Sequence, residues 1–191
     1  HEQYSYPETI RYLADRYGIE LEETGAPEED DESRQLRESL FIVNNFAMEF
    51  FAKTLRKSSS GGIGRSYFKE RGYNQKTIDD YELGYAPSDG KALHKAAKAN
   101  NYKKEHLETL GLISQSGRDF FRDRVIFPIH NLSGKVIAFA GRTLKDSSKA
   151  PKYINSPESP IYNKSEALYG IHHAKNEIRK SDACLLVEGY T

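Results

Sequence analysis

The sequence predicts an α+β protein in which a helical N-terminal portion precedes an antiparallel β-hairpin or small sheet with packed helices. Apolar residues recur at helical spacing through the first half of the chain, and β-rich segments first occur after residue 120. The order of elements is several helices, a hairpin, another helix and a final strand. We therefore expect an α+β body that leads into the first strand of an α/β unit.

The N-terminal segment is predicted to be a helix over residues 7–17 followed by an acidic linker. The spacing of Ile10, Leu13 and Tyr17 places them on one helical face. Residues 22–32 are mostly acidic and contain almost no apolar side chains, which is typical of a flexible linker. A domain boundary is expected close to the end of this linker.

Five more helices are predicted in the body before the hairpin. The first is long, and we expect its apolar stripe to face the core. The next is short and follows a Ser- and Gly-rich loop, and Asn74 is a suitable N-cap for the third. The five helices are expected over residues 33–57, 65–71, 75–83, 90–99 and, just before the hairpin region, 103–110.

The hairpin is predicted from two β-rich segments, residues 124–130 and 135–141. The Asn-Leu-Ser-Gly sequence between them favours a turn, with glycine adopting the backbone angles that other residues avoid. A helix over 165–179 and a buried strand over 183–187 are expected to follow, because the latter segment is continuously apolar.

The net charge is zero, but the charges are unevenly distributed. Residues 1–32 carry 11 acids and 2 bases, whereas residues 33–191 carry 17 acids and 26 bases. Residues 118–164 alone carry 9 bases and 4 acids. A basic body suits binding of nucleic acid or nucleotides, although a solvated lysine-rich surface has the same composition.

Composition also argues against several classes of protein. No apolar run approaches the roughly 18 residues that span a membrane, and no secretory signal is evident. The single cysteine, Cys184, excludes an internal disulfide, and no Cys/His spacing resembles a zinc site. We expect a cytoplasmic protein with no membrane partner.

The first candidate for chemistry is the carboxylate of Glu188, which follows the apolar run and precedes Gly189. Ligands bind at the carboxyl ends of parallel strands, and a carboxylate there can hold Mg²⁺ or accept a proton. A single glutamate does not make a metal site. A glutamate that merely occupies a loop is an equally open interpretation.

The second candidate is a group of cations, Arg124, Arg142, Lys152 and Lys164. Arg124 begins one predicted strand and Arg142 ends the other, so antiparallel pairing is expected to place them side by side. Two adjacent guanidinium groups suit a bidentate phosphate clamp. The alternative is that they pair with nearby aspartates, and that Lys152 is an ordinary surface lysine.

Three weaker features accompany these residues. Tyr153 and Tyr162 are interleaved with the cations and can stack on bases, with core packing as the alternative. Residues 61–65 have the glycines of a phosphate loop, but a linker is favoured because no strand precedes them. His172 and His173 are adjacent, a poor geometry for one metal, and are expected on a helix surface.

Several short motifs together resemble the bacterial replicative DNA primases of the DnaG type. In chain order they are R-V-I-F-P-I, G-K-V-I-A-F-A-G-R, P-K-Y-I-N-S-P-E, L-Y-G and V-E-G-Y. An earlier block, R-S-Y-F-K-E-R-G followed by L-G-Y-A-P, is similar to the same family. The resemblance covers about residues 65–191, and more loosely the helix at 7–17.

The resemblance implies a nucleotidyltransferase, a DNA-directed RNA polymerase that makes short RNA primers on single-stranded DNA for replication. The implied partners are single-stranded DNA, ribonucleoside triphosphates, the RNA–DNA hybrid and, through a further C-terminal domain, the replicative helicase. The implied cofactors are Mg²⁺ or Mn²⁺ in a Toprim-type metal-binding subdomain and Zn²⁺ in a preceding domain. The implied location is the bacterial cytoplasm, at the replication fork or nucleoid.

The resemblance also divides the chain. Residues 1–32 correspond to a connector from a zinc-ribbon domain, with the acidic linker, and 33–180 to an N-terminal basic-groove subdomain. Residues 181–191 correspond to the first strand of a truncated Toprim subdomain, which is also the α/β unit expected above. A piece of this extent is expected to be inactive by itself.

Site residues are carried over from the family only at matching motif positions. Arg65, Arg124, Arg142, Lys152 and Lys164 fall on basic-groove positions that bind template phosphates or the incoming triphosphate. Tyr153 and Asn155 belong to the same block. Glu188 falls on the Toprim glutamate, whose implied role is metal ligand or general base.

Two other functions stay open at this point. The chain can belong to another Toprim-bearing protein, such as a phage primase-helicase, a topoisomerase or a nuclease. It can also be a non-catalytic module that binds nucleic acid.

Overall fold

The computed structural model describes residues 6–17, 30–145 and 151–189. Within these ranges, seven helices surround a four-stranded antiparallel sheet. In chain order the elements are α1 Tyr6–Tyr17, α2 Asp31–Lys57, α3 Gly62–Glu70, α4 Gln75–Asp80, β1 Gly84–Ala86, α5 Ala92–Ala99, α6 Lys104–Thr109, β2 Arg124–His130, β3 Val136–Thr143, β4 Tyr153–Asn155 and α7 Ile171–Ser181.

The sheet has the order β1-β2-β3-β4, so each strand pairs with its neighbour in the chain. The predicted hairpin is confirmed as β2 and β3. Strands β1 and β4, which the sequence pattern did not predict, extend it on either side and contain three residues each. Strands this short show too little alternation to be recognised without their partners.

Helix α2 begins inside the predicted acidic linker. Asp30 is its N-cap and accepts a hydrogen bond from the Ser33 backbone N–H at 2.7 Å, and Asp31 and Glu32 form its first turn. Negative charge is favourable there because the helix dipole is positive at its N-terminus. The linker was therefore predicted to extend three residues too far, and its remaining part lies outside the described residues.

Both faces of the sheet are buried, and they belong to two separate apolar clusters. Ile126 of β2 and Phe139 of β3 pack with α2, α5 and α6 on one face. Val125 and Phe127 pack with Phe68 of α3 and with α4 on the other. Consecutive strand residues point to opposite faces, so β2 is apolar along almost its whole length.

Helix α7 is shorter than predicted, and the segment after it differs from the prediction. Gly170 adopts a left-handed conformation at φ 81°, so the helix begins at Ile171 rather than near 165. The predicted buried strand over 183–187 is wrong for the described residues, where this segment has no regular secondary structure and Leu185 is 94% exposed. A strand needs a neighbour to satisfy its backbone groups, and no described strand pairs with it.

Cys184 is accordingly exposed. None of the helices in the described ranges combines the length and the apolar composition needed to cross a membrane.

Candidate nucleic-acid interface

A group of arginine and tyrosine side chains lies at the open end of the β2–β3 hairpin. The Cζ atom of Arg142 is 4.5 Å from the centroid of the Tyr67 ring, and the Cζ atom of Arg71 is 5.7 Å from the same centroid. Tyr73 and Tyr153 lie beside them. We refer to these five residues as the arginine–tyrosine cluster.

The sheet and helix α3 bring the cluster together. Arg142 on β3 is the direct cross-strand partner of Tyr153 on β4 and of Val125 on β2. Directly opposed residues share a face, so Arg142 and Tyr153 project from the side that α3 covers. Tyr67 lies on α3, with Arg71 four residues later and therefore on the same helical face.

The pKa of Tyr73 reflects this crowding. Burial raises its pKa, and the neighbouring hydroxyls of Tyr67 and Tyr153 raise it further, whereas Arg71 lowers it. Tyr73 is thus a neutral hydroxyl at physiological pH.

The arginines of the cluster retain their hydrogen-bonding capacity. Among the described residues, no hydrogen bond or ion pair engages the guanidinium group of Arg142 or of Arg71, and the Nε of Arg142 is buried without a partner. A guanidinium that stacks on an aromatic ring keeps its in-plane N–H groups available. The cluster therefore combines permanent positive charge with unused donors, a combination that suits phosphate groups.

Arg124 has a different environment, and its predicted position beside Arg142 is wrong. Arg124 pairs with Thr143, while Arg142 pairs with Val125, so the two arginines project to opposite faces. The Arg124 guanidinium donates to the backbone oxygens of Gly141, Pro151 and Lys152 at 3.0, 3.1 and 3.2 Å. The two arginines cannot form one bidentate clamp.

Burial also distinguishes Arg124, which is only 7% exposed. This burial, with a smaller effect of Arg122, lowers the pKa of Arg124, while Asp123 raises it. Its donors connect the hairpin to the segment before β4. Arg124 is therefore a structural residue, which we call a brace.

Arg65 also donates to the backbone. Its Nη1 donates to the oxygens of Leu55 and Ser58 at 2.5 and 3.1 Å, at the C-terminal end of α2. Lysine and arginine side chains commonly bind the last carbonyls of a helix in this way. Gly62 and Gly64, which were predicted to form a loop before Arg65, belong to the first turn of α3.

The remaining predicted cations are exposed. Lys152 directly precedes β4, so it lies next to Tyr153 in the chain. Lys164 lies in the loop after β4, where its backbone N–H donates to Glu158 Oε1 at 3.1 Å. Asn155 is half-buried on β4 opposite Ala140. The structure thus brings Arg142, Tyr153 and Asn155 onto one face.

Arg71 was not predicted from the sequence. Tyr67 and Arg71 have the i, i+4 spacing that puts two side chains on one helical face, and this signal was available in the sequence. The arginine predicted for this helix was Arg65, near its start.

Glu188 is exposed in a bend that follows residues 183–187. It lines an open groove of about 860 Å³ together with Tyr73 of the arginine–tyrosine cluster and Leu185. In the described part of the chain, no three His, Cys, Asp or Glu side chains are placed to hold a metal ion. Mg²⁺ requires near-octahedral oxygen coordination, so the described residues do not by themselves make a magnesium site, nor a zinc site.

Three histidines meet at the turn end of the hairpin. His172 and His173 lie on helix α7, as predicted, but they are half-buried and not fully exposed. His130, on β2, is only 6% exposed, and His172 and His173 are half-buried against it, with ring centroids 6.0 and 5.3 Å from that of His130.

Comparison with known proteins identifies the fold. The family model described as "DNA primase catalytic core, N-terminal domain" matches residues 50–175. The DNA primase of Halalkalibacterium halodurans is 37% identical over 194 residues, which cover 99% of this chain and 32% of that protein.

Two solved structures are similar as well. The Aquifex aeolicus primase, with zinc-binding and RNA polymerase domains, is 36% identical at a TM-score of 0.73, covering 97% of this chain and 44% of that chain. A DnaG primase catalytic domain bound to single-stranded DNA is 31% identical at a TM-score of 0.75. The match covers 82% of this chain and 49% of that chain.

Together, the helices, the small antiparallel sheet and these matches define the N-terminal domain of a primase catalytic core. The chain belongs to the DNA primase family of the DnaG type. The resemblance found in the sequence motifs is confirmed. The chain spans about a third of the length of the curated relatives that it matches.

Proposed function

We propose that the whole protein is a DNA primase, a DNA-directed RNA polymerase that synthesises short RNA primers on single-stranded DNA. Within it, residues 33–180 form the basic-groove subdomain that binds the template and the ribonucleoside triphosphates. The arginine–tyrosine cluster is the observation that carries this proposal.

The chemistry of the cluster suits a single strand. Arginine side chains bind phosphates through charge-assisted hydrogen bonds, and tyrosine rings stack on bases without sequence preference. A relative with the same fold is bound to single-stranded DNA, which supports this ligand.

The proposed binding surface contains most of the residues predicted from the sequence, but it gives some of them a different role. Arg142, Lys152, Tyr153 and Asn155 form its centre, Arg71 is added to them, and Lys164 lies further along the loop. Arg124 and Arg65 are proposed to shape the surface from behind, because their guanidinium groups bind backbone oxygens.

The catalytic proposal extends beyond the described residues. Glu188 is proposed as one metal ligand or general base of a Toprim-type subdomain that begins near residue 181, and its Mg²⁺ site needs further acids. A connector over 1–32 to a zinc-binding domain, a replicative helicase as partner and a location in the bacterial cytoplasm follow from the family and are part of the same proposal.

The test is fluorescence anisotropy of a labelled single-stranded oligonucleotide across a salt series. Arg142→Ala is expected to weaken binding and to reduce the slope of log affinity against log salt by about 0.7 per lost phosphate contact. Arg34→Ala is the matched control, because it removes the same charge from an exposed site at the start of α2. Equal effects of the two substitutions would contradict the proposed surface.

The catalytic role is tested separately from binding. Glu188→Gln in the whole protein is expected to abolish primer synthesis while oligonucleotide binding stays unchanged. Retention of primer synthesis would favour a non-catalytic role for this residue.

A further inference from the structure

Tyr67 lies at the centre of the arginine–tyrosine cluster, because the guanidinium groups of both Arg71 and Arg142 lie over its ring. Arg71 comes from the end of α3 and Arg142 from β3, so two separate elements deliver cations to one aromatic side chain. The Tyr67 ring itself is 8% exposed and packs edge-on against Phe68 at a centroid distance of 5.4 Å. The core therefore fixes the ring in place.

Two guanidinium groups near one another repel, and something must hold them in place. Among the described residues neither Arg71 nor Arg142 has an ion-pair partner. A carboxylate would neutralise the pair and occupy its donors. An aromatic ring attracts each cation through its quadrupole while the N–H groups stay available.

The Tyr67 hydroxyl does not contribute to this arrangement. Its oxygen is buried and has no hydrogen-bond partner. A buried hydroxyl without a partner is a cost to the folded state rather than a source of stability. The function of the side chain must therefore reside in its ring.

We propose that Tyr67 is a positioning residue that holds the guanidinium groups of Arg71 and Arg142 as a preorganised pair for nucleotide phosphate groups. This inference rests on the proposed function of the cluster. A pair held in place before binding loses less side-chain entropy when the phosphates arrive, which raises affinity without any new contact.

The test compares Tyr67→Phe with Tyr67→Leu in the full chain, using anisotropy of a labelled single-stranded oligonucleotide. Tyr67→Phe keeps the ring and is expected to retain most of the affinity that Tyr67→Leu loses. Tyr67→Leu removes two cation–π contacts and is expected to weaken binding roughly 5- to 30-fold.

A double-mutant cycle separates positioning from a loss of packing. In an Arg142→Ala background, Tyr67→Leu is expected to have a much smaller effect, because one of its two cations is already absent. Phe68→Leu is the matched control, since it truncates the adjacent buried ring of α3. Its effect on binding is expected to be small and the same in both backgrounds.

Competition by ATP against the labelled strand distinguishes the two sources of phosphate. Tyr67→Leu weakens the oligonucleotide if the pair binds the template, and weakens ATP competition if it binds the triphosphate. Either result supports the inference.

The inference is overturned if Tyr67→Leu leaves both ligands unaffected, or if its effect is equally large with and without Arg142. Failure of the proposed function has a different signature, in which Arg142→Ala itself leaves binding unchanged.

Discussion

Basic side chains gather at both ends of the β2–β3 hairpin, but they are of different kinds. The open end has arginines, Arg124 and Arg142, whose charge is permanent. The turn end has His130, with His172 and His173 of α7 beside it, and burial together with these neighbours lowers the pKa of His173. The open end therefore presents the permanent charge of Arg142, whereas at the turn end ring contacts attach α7 to the hairpin.

The turn end is organised around a cavity of about 500 Å³. His130 Nε2 lies 2.8 Å from Glu82 Oε2, and the His173 ring stacks on Tyr81 with their centroids 4.3 Å apart. Lys175 of α7 donates to the Leu132 backbone oxygen in the turn at 2.8 Å. These contacts attach α7 to the sheet, and α7 leads directly to the segment that carries Glu188.

The open end shows a second contrast, between its two arginines. The donors of Arg124 are used by three backbone oxygens, whereas Arg142 stacks on Tyr67 and has no hydrogen-bonded partner among the described residues. Sequence position alone does not distinguish an arginine whose donors bind the backbone from one whose donors stay available. The difference arises from which face of the sheet each side chain enters.

The largest effect is expected from Arg124→Ala, which leaves the oxygens of Gly141, Pro151 and Lys152 without their donor. We expect a loss of about 3 kcal/mol in the free energy of unfolding, measured by urea denaturation. Arg142→Ala, which removes one stacking contact, is expected to cost about 1 kcal/mol. Equal losses of unfolding free energy for the two variants would contradict the assignment of Arg124 as a structural residue and of Arg142 as a proposed binding residue.

An intermediate effect is expected at the turn end from Gly134→Ala. Gly134 has φ 96°, and a Cβ there would lie 2.4 Å from Cε1 of His172, so the substitution strains the turn and displaces α7. Gly72→Ala is the control, since its φ is 78° and nothing lies within 4 Å of the added Cβ.

The difference between these two glycine variants isolates the contact with His172. Gly134→Ala is expected to lose about 1 kcal/mol more than Gly72→Ala in the free energy of unfolding, measured by urea denaturation. If the two losses are the same, the packing of α7 on the turn contributes nothing measurable.

The sequence was sufficient for the hairpin and most helices because these depend on local patterns. Asn74 caps α4 as predicted and accepts from Thr77 N at 2.8 Å. Local patterns do not determine the pairing register of β2 and β3, and a shift of one residue in register moves a side chain to the other face of the sheet. Placing Arg124 beside Arg142 was wrong for this reason.

Long-range contacts explain the remaining differences. His130 and His172 are 42 positions apart in the chain, and only the docking of α7 on the hairpin brings their rings together. Residues 183–187 have the composition of a central strand, but composition does not provide the neighbouring strand on which pairing depends. The predicted roles of Glu188 and the exposed lysines stay predictions.

The smallest expected effect is the pH dependence of the turn end. Burial lowers the pKa of His173 from its ordinary value of 6.5, and His130 and His172 lower it further, while Glu82 and Asp80 raise it less. The unfolded chain therefore binds the proton more readily than the folded chain. This contribution to stability is present above pH 6.5 and is lost as the pH falls below that value.

The measurement is the urea midpoint at about pH 7.5 and about pH 5.5, a window that spans the ordinary histidine pKa. His173→Gln is expected to make the fall in the urea midpoint between these two pH values smaller. His106→Gln on α6, away from the turn, is expected to leave the size of this fall unchanged. Lys175 and the Asp80 carboxylate, which pairs with Lys76, face the same region. If His173→Gln and the unsubstituted chain lose the same stability between the two pH values, protonation of His173 does not make the turn end sensitive to pH.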